Sequence, residues 1–306
     1  PAGAADPRRY PPHAMTPTRP RALLGVVAAA AVTLTLAACG SDDDDTGTAG
    51  TSSAAATTAT AAADVCAKDQ LQLVKPGTLT VGTDKPAYPP YFEDDDPSNG
   101  KGFESAVAYA IADQLGFTPE EVSWTVVPFN SSYAPGPKDF DFDINQISIT
   151  PKRAERVDFS EPYYTAPQAV VALEDSPAAG AASLADLKDV QLGVQIGTTS
   201  LDAVEQVIQP NTQPKVFNDS NDVVTALKQG QVDAVVVDLP TAFYVTAAQV
   251  ENAKIVGQFD APGGDSWGVV LAKDSPLTAC VDQAITALRD SGELDRLEEQ
   301  WMGEAA

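Results

Sequence analysis

Histidine is nearly absent from this chain: the only one, His13, precedes the first methionine, Met15. A body without imidazole cannot run a Ser-His-Asp or Cys-His nucleophile, and it cannot build a histidine-ligated zinc site. Basic residues are scarce too, 19 Lys and Arg against 43 Asp and Glu, for a formal charge of −24. Phosphate neutralisation needs clustered Lys and Arg, so the acid excess speaks against nucleic acid as a partner. Long hydrophobic runs are limited to one near the start, residues 22–38. What remains is ordinary globular composition, 43% hydrophobic and 20% charged over 306 residues, enough for about two domains.

The beginning reads as export machinery. Residues 1–14 have no apolar period and read as sequence upstream of a start at Met15. Arg19 and Arg21 then form a positive region before the uncharged run 22–38, the layout of a secretory signal peptide. Leu36-Ala37-Ala38-Cys39 resembles the bacterial lipobox, which implies acylation of Cys39 and a lipid anchor. Two or more acyl chains hold a protein stably on a membrane. The segment 39–65 lacks aromatic residues and is dominated by Ala, Thr, Gly, Ser and Asp, so it reads as a disordered leash. The body is therefore expected on the outer face of the cytoplasmic membrane.

Cys66 and Cys280 remain, one at each end of the body, and an even pair in an exported chain favours a disulfide over two free buried thiols. From residue 71 onward, short apolar runs alternate with amphipathic segments. Strands are expected at 79–83, 122–127, 190–196, 232–237 and 267–272. Helices are expected at 103–115, 200–208, 223–229, 277–288 and 294–301. Phe140, Phe142 and Ile144 alternate with Asp139, Asp141 and Asp143, the pattern of a half-buried strand or its approach. That acidic run lacks the Gly and the closing Glu of a calcium loop. Strands alternating with helices mean α/β.

Several segments in this order resemble the extracellular solute-binding proteins of polar amino-acid ABC importers. They are Leu79-Thr-Val-Gly-Thr-Asp84, Tyr88-Pro-Pro-Tyr-Phe92, Gly102-Phe-Glu104, Ile147-Ser-Ile-Thr-Pro-Lys-Arg153 and Val157-Asp-Phe-Ser-Glu-Pro-Tyr-Tyr164. Further on come Gly193-Val-Gln-Ile-Gly-Thr-Thr-Ser200 and Val232-Asp-Ala-Val-Val-Val-Asp238. The resemblance implies a two-lobed periplasmic-binding-protein (Venus flytrap) fold, with two mixed, mainly parallel sheets joined by two hinge strands. One lobe would take residues 66–166 plus 267–306 and the other 167–266, with crossings near 163–168 and 262–267.

It also implies capture of a free amino acid, without cofactor, metal or catalysis, by a monomer that delivers it to a membrane permease. A zwitterion buried unpaired costs several kcal/mol, so the site must offer both signs of charge. Arg153 is the expected carboxylate clamp, because its planar fork makes parallel charge-assisted bonds, and Ser148 and Thr199 assist it. Asp238 is the expected ammonium partner, with the backbone carbonyl at Gln146. Tyr88 and Phe129 are expected to flank the ligand side chain, and Asp84 and Gln195 to read its polarity. Asp84 with those aromatics favours a cationic or neutral polar side chain. No second Arg or Lys sits at a matched pocket position, which speaks against a dicarboxylic ligand. A sensing accessory protein, or a dehydratase-like enzyme on the same fold, are the competing readings.

Overall fold

The computed structural model describes residues 65–303. The expected leader, the Cys39 acylation site and the leash up to residue 64 lie outside the described residues. The first half of the chain forms strands β1 (Leu79–Thr83), β2 (Val122–Val126), β3 (Phe142–Asp143), β4 (Asp158–Phe159), β5 (Tyr164–Thr165) and β6 (Gln168–Leu173). The second half forms β7 (Leu192–Gln195), β8 (Lys215–Phe217), β9 (Ala234–Asp238), β10 (Ala253–Phe259), β11 (Ser266–Trp267) and β12 (Val270–Leu271). Helices are α1 (Phe103–Gln114), α2 (Phe129–Ser132), α3 (Pro151–Ala154), α4 (Thr199–Ala203), α5 (Ser220–Lys228), α6 (Leu239–Tyr244), α7 (Thr278–Asp290) and α8 (Glu293–Met302).

Two mixed sheets result, in the orders β2-β1-β3-β12-β4 and β10-β6-β9-β7-β8. In the first, β1 runs parallel to β2 and β3, while β12 is antiparallel to β3 and β4. In the second, β7 runs parallel to β8 and β9, while β6 is antiparallel to β9 and β10. Antiparallel pairing is thus as frequent as parallel, more than strand–helix alternation alone implies. The reason is topological: strands that enter a sheet just after or just before a crossing come from the opposite end.

β12 lies far along the chain yet sits between β3 and β4, so the chain returns to its first sheet after building the second. The link is the two-stranded ribbon of β5 and β11, where Thr165 pairs with Ser266 and Tyr164 with Trp267. Trp267 is fully buried there, its ring 4.8 Å from that of Tyr164 and 5.6 Å from that of Tyr91. Gly263 and Gly264, at φ +88° and +87°, make the turn into β11.

Each sheet is buried by its own apolar faces. Leu79, Val81 and Phe142 pack with Val107 and Ile111 of α1 and with Val281 and Ile285 of α7. In the second sheet Val235 points into one cluster and Ala234 and Val236 into another, so β9 is covered on both sides. Cys66 and Cys280 are disulfide-bonded, with Cα atoms 5.4 Å apart, which ties the start of the body to α7.

The acidic run is mostly the approach to a strand. Only Phe142–Asp143 is strand, and Asp141 and Asp143 are buried together with the aromatics they alternate with. Asp141 accepts the backbone N–H groups of Val74 (2.7 Å) and Thr80 (2.6 Å), fastening the incoming chain to β1. Alternation reads as half-exposure only when the polar face meets water, and here Asp141 is turned onto the backbone of Val74 and Thr80 instead. The helix expected at 200–208 divides into α4 and a wider π turn over Val204–Ile208.

Candidate functional site

The strands β1, β7 and β9 end at one cleft between the sheets, where α/β folds bind ligands. Every candidate residue lines it: Asp84, Tyr88, Phe129, Gln146, Ser148 and Arg153 from the first-sheet side, Gln195, Thr199 and Asp238 from the second. The space measures about 1150 Å³ with its solvent mouth included.

At one end lies Arg153, held by α3. Thr150 caps that helix by accepting the Arg153 backbone N–H at 3.2 Å. Arg153 is only 7% exposed, and burial lowers the pKa of its guanidinium from the ordinary value. Its Nη1 donates to the Ser148 carbonyl at 2.6 Å and its Nη2 to the Gly197 carbonyl at 2.9 Å. Both acceptors are uncharged, so the cation has no carboxylate bonded to it among the described residues. Beside it, the Ser148 and Thr199 hydroxyls lie 3.1 Å apart across the cleft. Thr198 caps α4 through the Leu201 N–H (3.1 Å), which places Thr199 at the first turn.

Asp238 stands at the other end, closing β9. It accepts the Gln168 amide at 2.5 Å. Burial pushes its carboxyl up to about 7, and the Asp265 charge adds to this, against the Gln168 amide and the Arg153 cation. Beneath the cleft, Glu104 is fully buried and also raised to about 7 by burial, although its bonds favour ionisation. Those bonds come from the Tyr163 hydroxyl, the Gln146 side-chain amide and the Gln146 backbone N–H at 2.7 Å. Gln146 sits at φ +49°. Its side chain is turned onto Glu104, away from the middle of the cleft. Tyr91 feels the charges of both carboxyls, and its hydroxyl lies 2.9 Å from that of Thr241 on α6.

Toward the mouth, Asp84 accepts the backbone N–H groups of Lys85 (2.7 Å) and Phe129 (3.1 Å). Gln195 accepts the Ser220 hydroxyl at 2.6 Å. Burial raises the Tyr88 pKa, and the charges of Asp219 and Asp84 raise it further. Asp219, Asn221, Tyr91, Glu104 and Thr241 were not assigned from sequence. Asp219 is legible afterwards as the cap of α5, accepting the Asp222 N–H at 2.9 Å just past the end of β8. Tyr91 and Glu104 lie inside motifs already singled out. Lys85 lies at the rim of the cleft, 3.2 Å from Asp95. Its exposed amine is turned to that aspartate because the partner lies in the same loop.

The sequence profile of bacterial extracellular solute-binding proteins, family 3, matches residues 79–304. The chain belongs to this family. It is 29% identical over 226 residues to the arginine-binding extracellular protein ArtP of Bacillus subtilis, covering 73% of this chain and 85% of that one. It is 30% identical over 230 residues to the L-cystine-binding protein TcyJ of Escherichia coli, covering 74% and 83%. Among solved structures, an ancestral arginine-binding protein bound to arginine superposes with a TM-score of 0.63 at 34% identity, over 74% of this chain and 98% of that one. Family membership accounts for the arrangement of the paired sheets around a shared cleft.

Proposed function

We propose that this family member captures a free amino acid with a cationic side chain outside the cytoplasmic membrane and hands it to an ABC permease. The observation that carries the reading is one cavity with Arg153 on one wall and Asp238 on the other. A free amino acid brings the carboxylate Arg153 lacks and the ammonium that Asp238 can pair with once ionised. Asp84 and Asp219 near the mouth supply negative charge for the rest of the ligand. The names of the arginine-binding relatives agree with that sign.

In this reading residues 66–166 with 267–306 form one lobe, 167–266 form the other, and both close on the ligand. Acylated Cys39 tethers the monomer, and the body acts without cofactor or catalysis. A thermal-shift screen over the proteinogenic amino acids tests it. A hundredfold excess over Kd stabilises by about 2.7 kcal/mol. Arginine and lysine are expected to raise Tm, and Arg153→Ala is expected to remove the shift. A response to neutral side chains alone would overturn the cationic assignment.

A further inference from the structure

Tyr133 lies just after α2 and is absent from the cleft lining, yet its ring covers Arg153. The guanidinium carbon is 4.5 Å from the Tyr133 ring centre and 5.7 Å from that of Phe129. Those two rings meet edge to face at 5.6 Å. A guanidinium over an aromatic face is attracted by the ring quadrupole, more strongly where water is excluded. The Tyr133 hydroxyl shares its one proton between Asn130 Oδ1 and the Gly197 carbonyl, 3.1 Å away on the second lobe. Arg153 donates to that same carbonyl at 2.9 Å. Gly197, at φ +79°, comes so close that a Cβ there would lie 2.7 Å from the Tyr133 hydroxyl.

We propose that Tyr133 is a positioning residue with two separable actions: its ring holds the Arg153 fork in place, and its hydroxyl latches the second lobe at Gly197. Carboxylate capture and lobe closure then converge on one carbonyl. The inference rests on the amino-acid reading of the cleft, and its test separates the two.

L-arginine and its decarboxylated analogue agmatine are titrated calorimetrically into wild type, Tyr133→Phe, Tyr133→Leu and Arg153→Ala, after melting curves show each is folded. Removing the hydroxyl alone should weaken both probes alike, by about threefold, the scale of one hydrogen bond. Removing the ring as well should weaken L-arginine by about a further tenfold and agmatine by less than twofold, because agmatine has no carboxylate for Arg153. Equal losses in the Phe and Leu variants overturn the ring's action, and so does a parallel loss of both probes in the Leu variant. If agmatine binds too weakly to titrate, the Phe-against-Leu difference on L-arginine decides. Binding of L-arginine undiminished in Arg153→Ala would refute the clamp itself. Inter-lobe distances in the ligand-free protein, from spin labels on each lobe, test the latch without any ligand. Tyr133→Phe should shift them toward open, and an unchanged distribution overturns the latch.

Discussion

Asp238 and Glu104 place two carboxyl groups near neutrality at and beneath the cleft, both raised to about 7 by burial. Only the charged form of Asp238 can pair with an ammonium, so binding draws its proton off. Amino-acid affinity should therefore fall as pH drops below about 7, by up to about tenfold per pH unit, and level off above it. Titrations at several pH values check this. Asp238→Asn should bind weakly with no slope, whereas Glu104→Gln should keep the slope. The same shifts act on folding. The unfolded carboxyls ionise near pH 4 and the folded ones near 7, so the unliganded protein should lose stability between those values and plateau above.

Asp143 is a starker case: it is fully buried, and neither oxygen has a hydrogen-bond partner among the described residues. Burial raises its pKa well above the ordinary value, with the charges of Glu104 and Asp84 adding to this. It packs against Gly82, whose own added Cβ would meet the carboxyl, with Val127 and Phe140 nearby. An unsatisfied buried polar group costs about 1–3 kcal/mol. Asp143→Val should accordingly raise Tm by several degrees in calorimetry, with the gain larger at pH 7 than at pH 4. A drop in Tm would show that the carboxyl is held by something its protein neighbours do not supply.

At the scale of elements, the body is fastened by contacts between distant segments. The Cys66–Cys280 bridge closes a sequence separation of 214 residues. In the chain-entropy account such a loop stabilises by at most about 5 kcal/mol. Cys66→Ala with Cys280→Ala should lower the denaturant midpoint substantially while leaving amino-acid affinity within about twofold, because the bridge lies at α7 and away from the cleft lining. The long periodic elements were legible: β1, α1, α5, β9, α7 and α8 lie within a few residues of their expected places. The acidic run at 139–144 was less so: it keeps a strand's alternation, but Asp141 is buried on the backbone of Val74 and Thr80, far back in the chain, which no local pattern announces.

For the whole molecule, the lobes meet through hydrogen bonds that cross the cleft: Ser148 to Thr199, Tyr91 to Thr241, and Arg153 and Tyr133 to Gly197. A ligand satisfied from both sides favours the state in which those sides meet. X-ray scattering should show the radius of gyration shrink on adding L-arginine, and Arg153→Ala should show no change. The enzymatic alternative has its own check: incubation with prephenate or arogenate is expected to yield no aromatic product by chromatography.

Sequence alone determined the family, the charge balance and the residue types that line the cleft, because order and spacing of strand ends survive without coordinates. Arg153 and Asp238 were singled out because a zwitterion would demand one group of each sign, and both line the cleft. Tertiary structure alone decided how those groups are held. The stack of Tyr133 on Arg153, the shared carbonyl of Gly197, the anchoring of Gln146 on Glu104 and the isolation of Asp143 all join segments far apart in the chain. Desolvation and hydrogen-bond geometry depend on what lies within a few ångströms in space, which neighbours along the chain do not reveal.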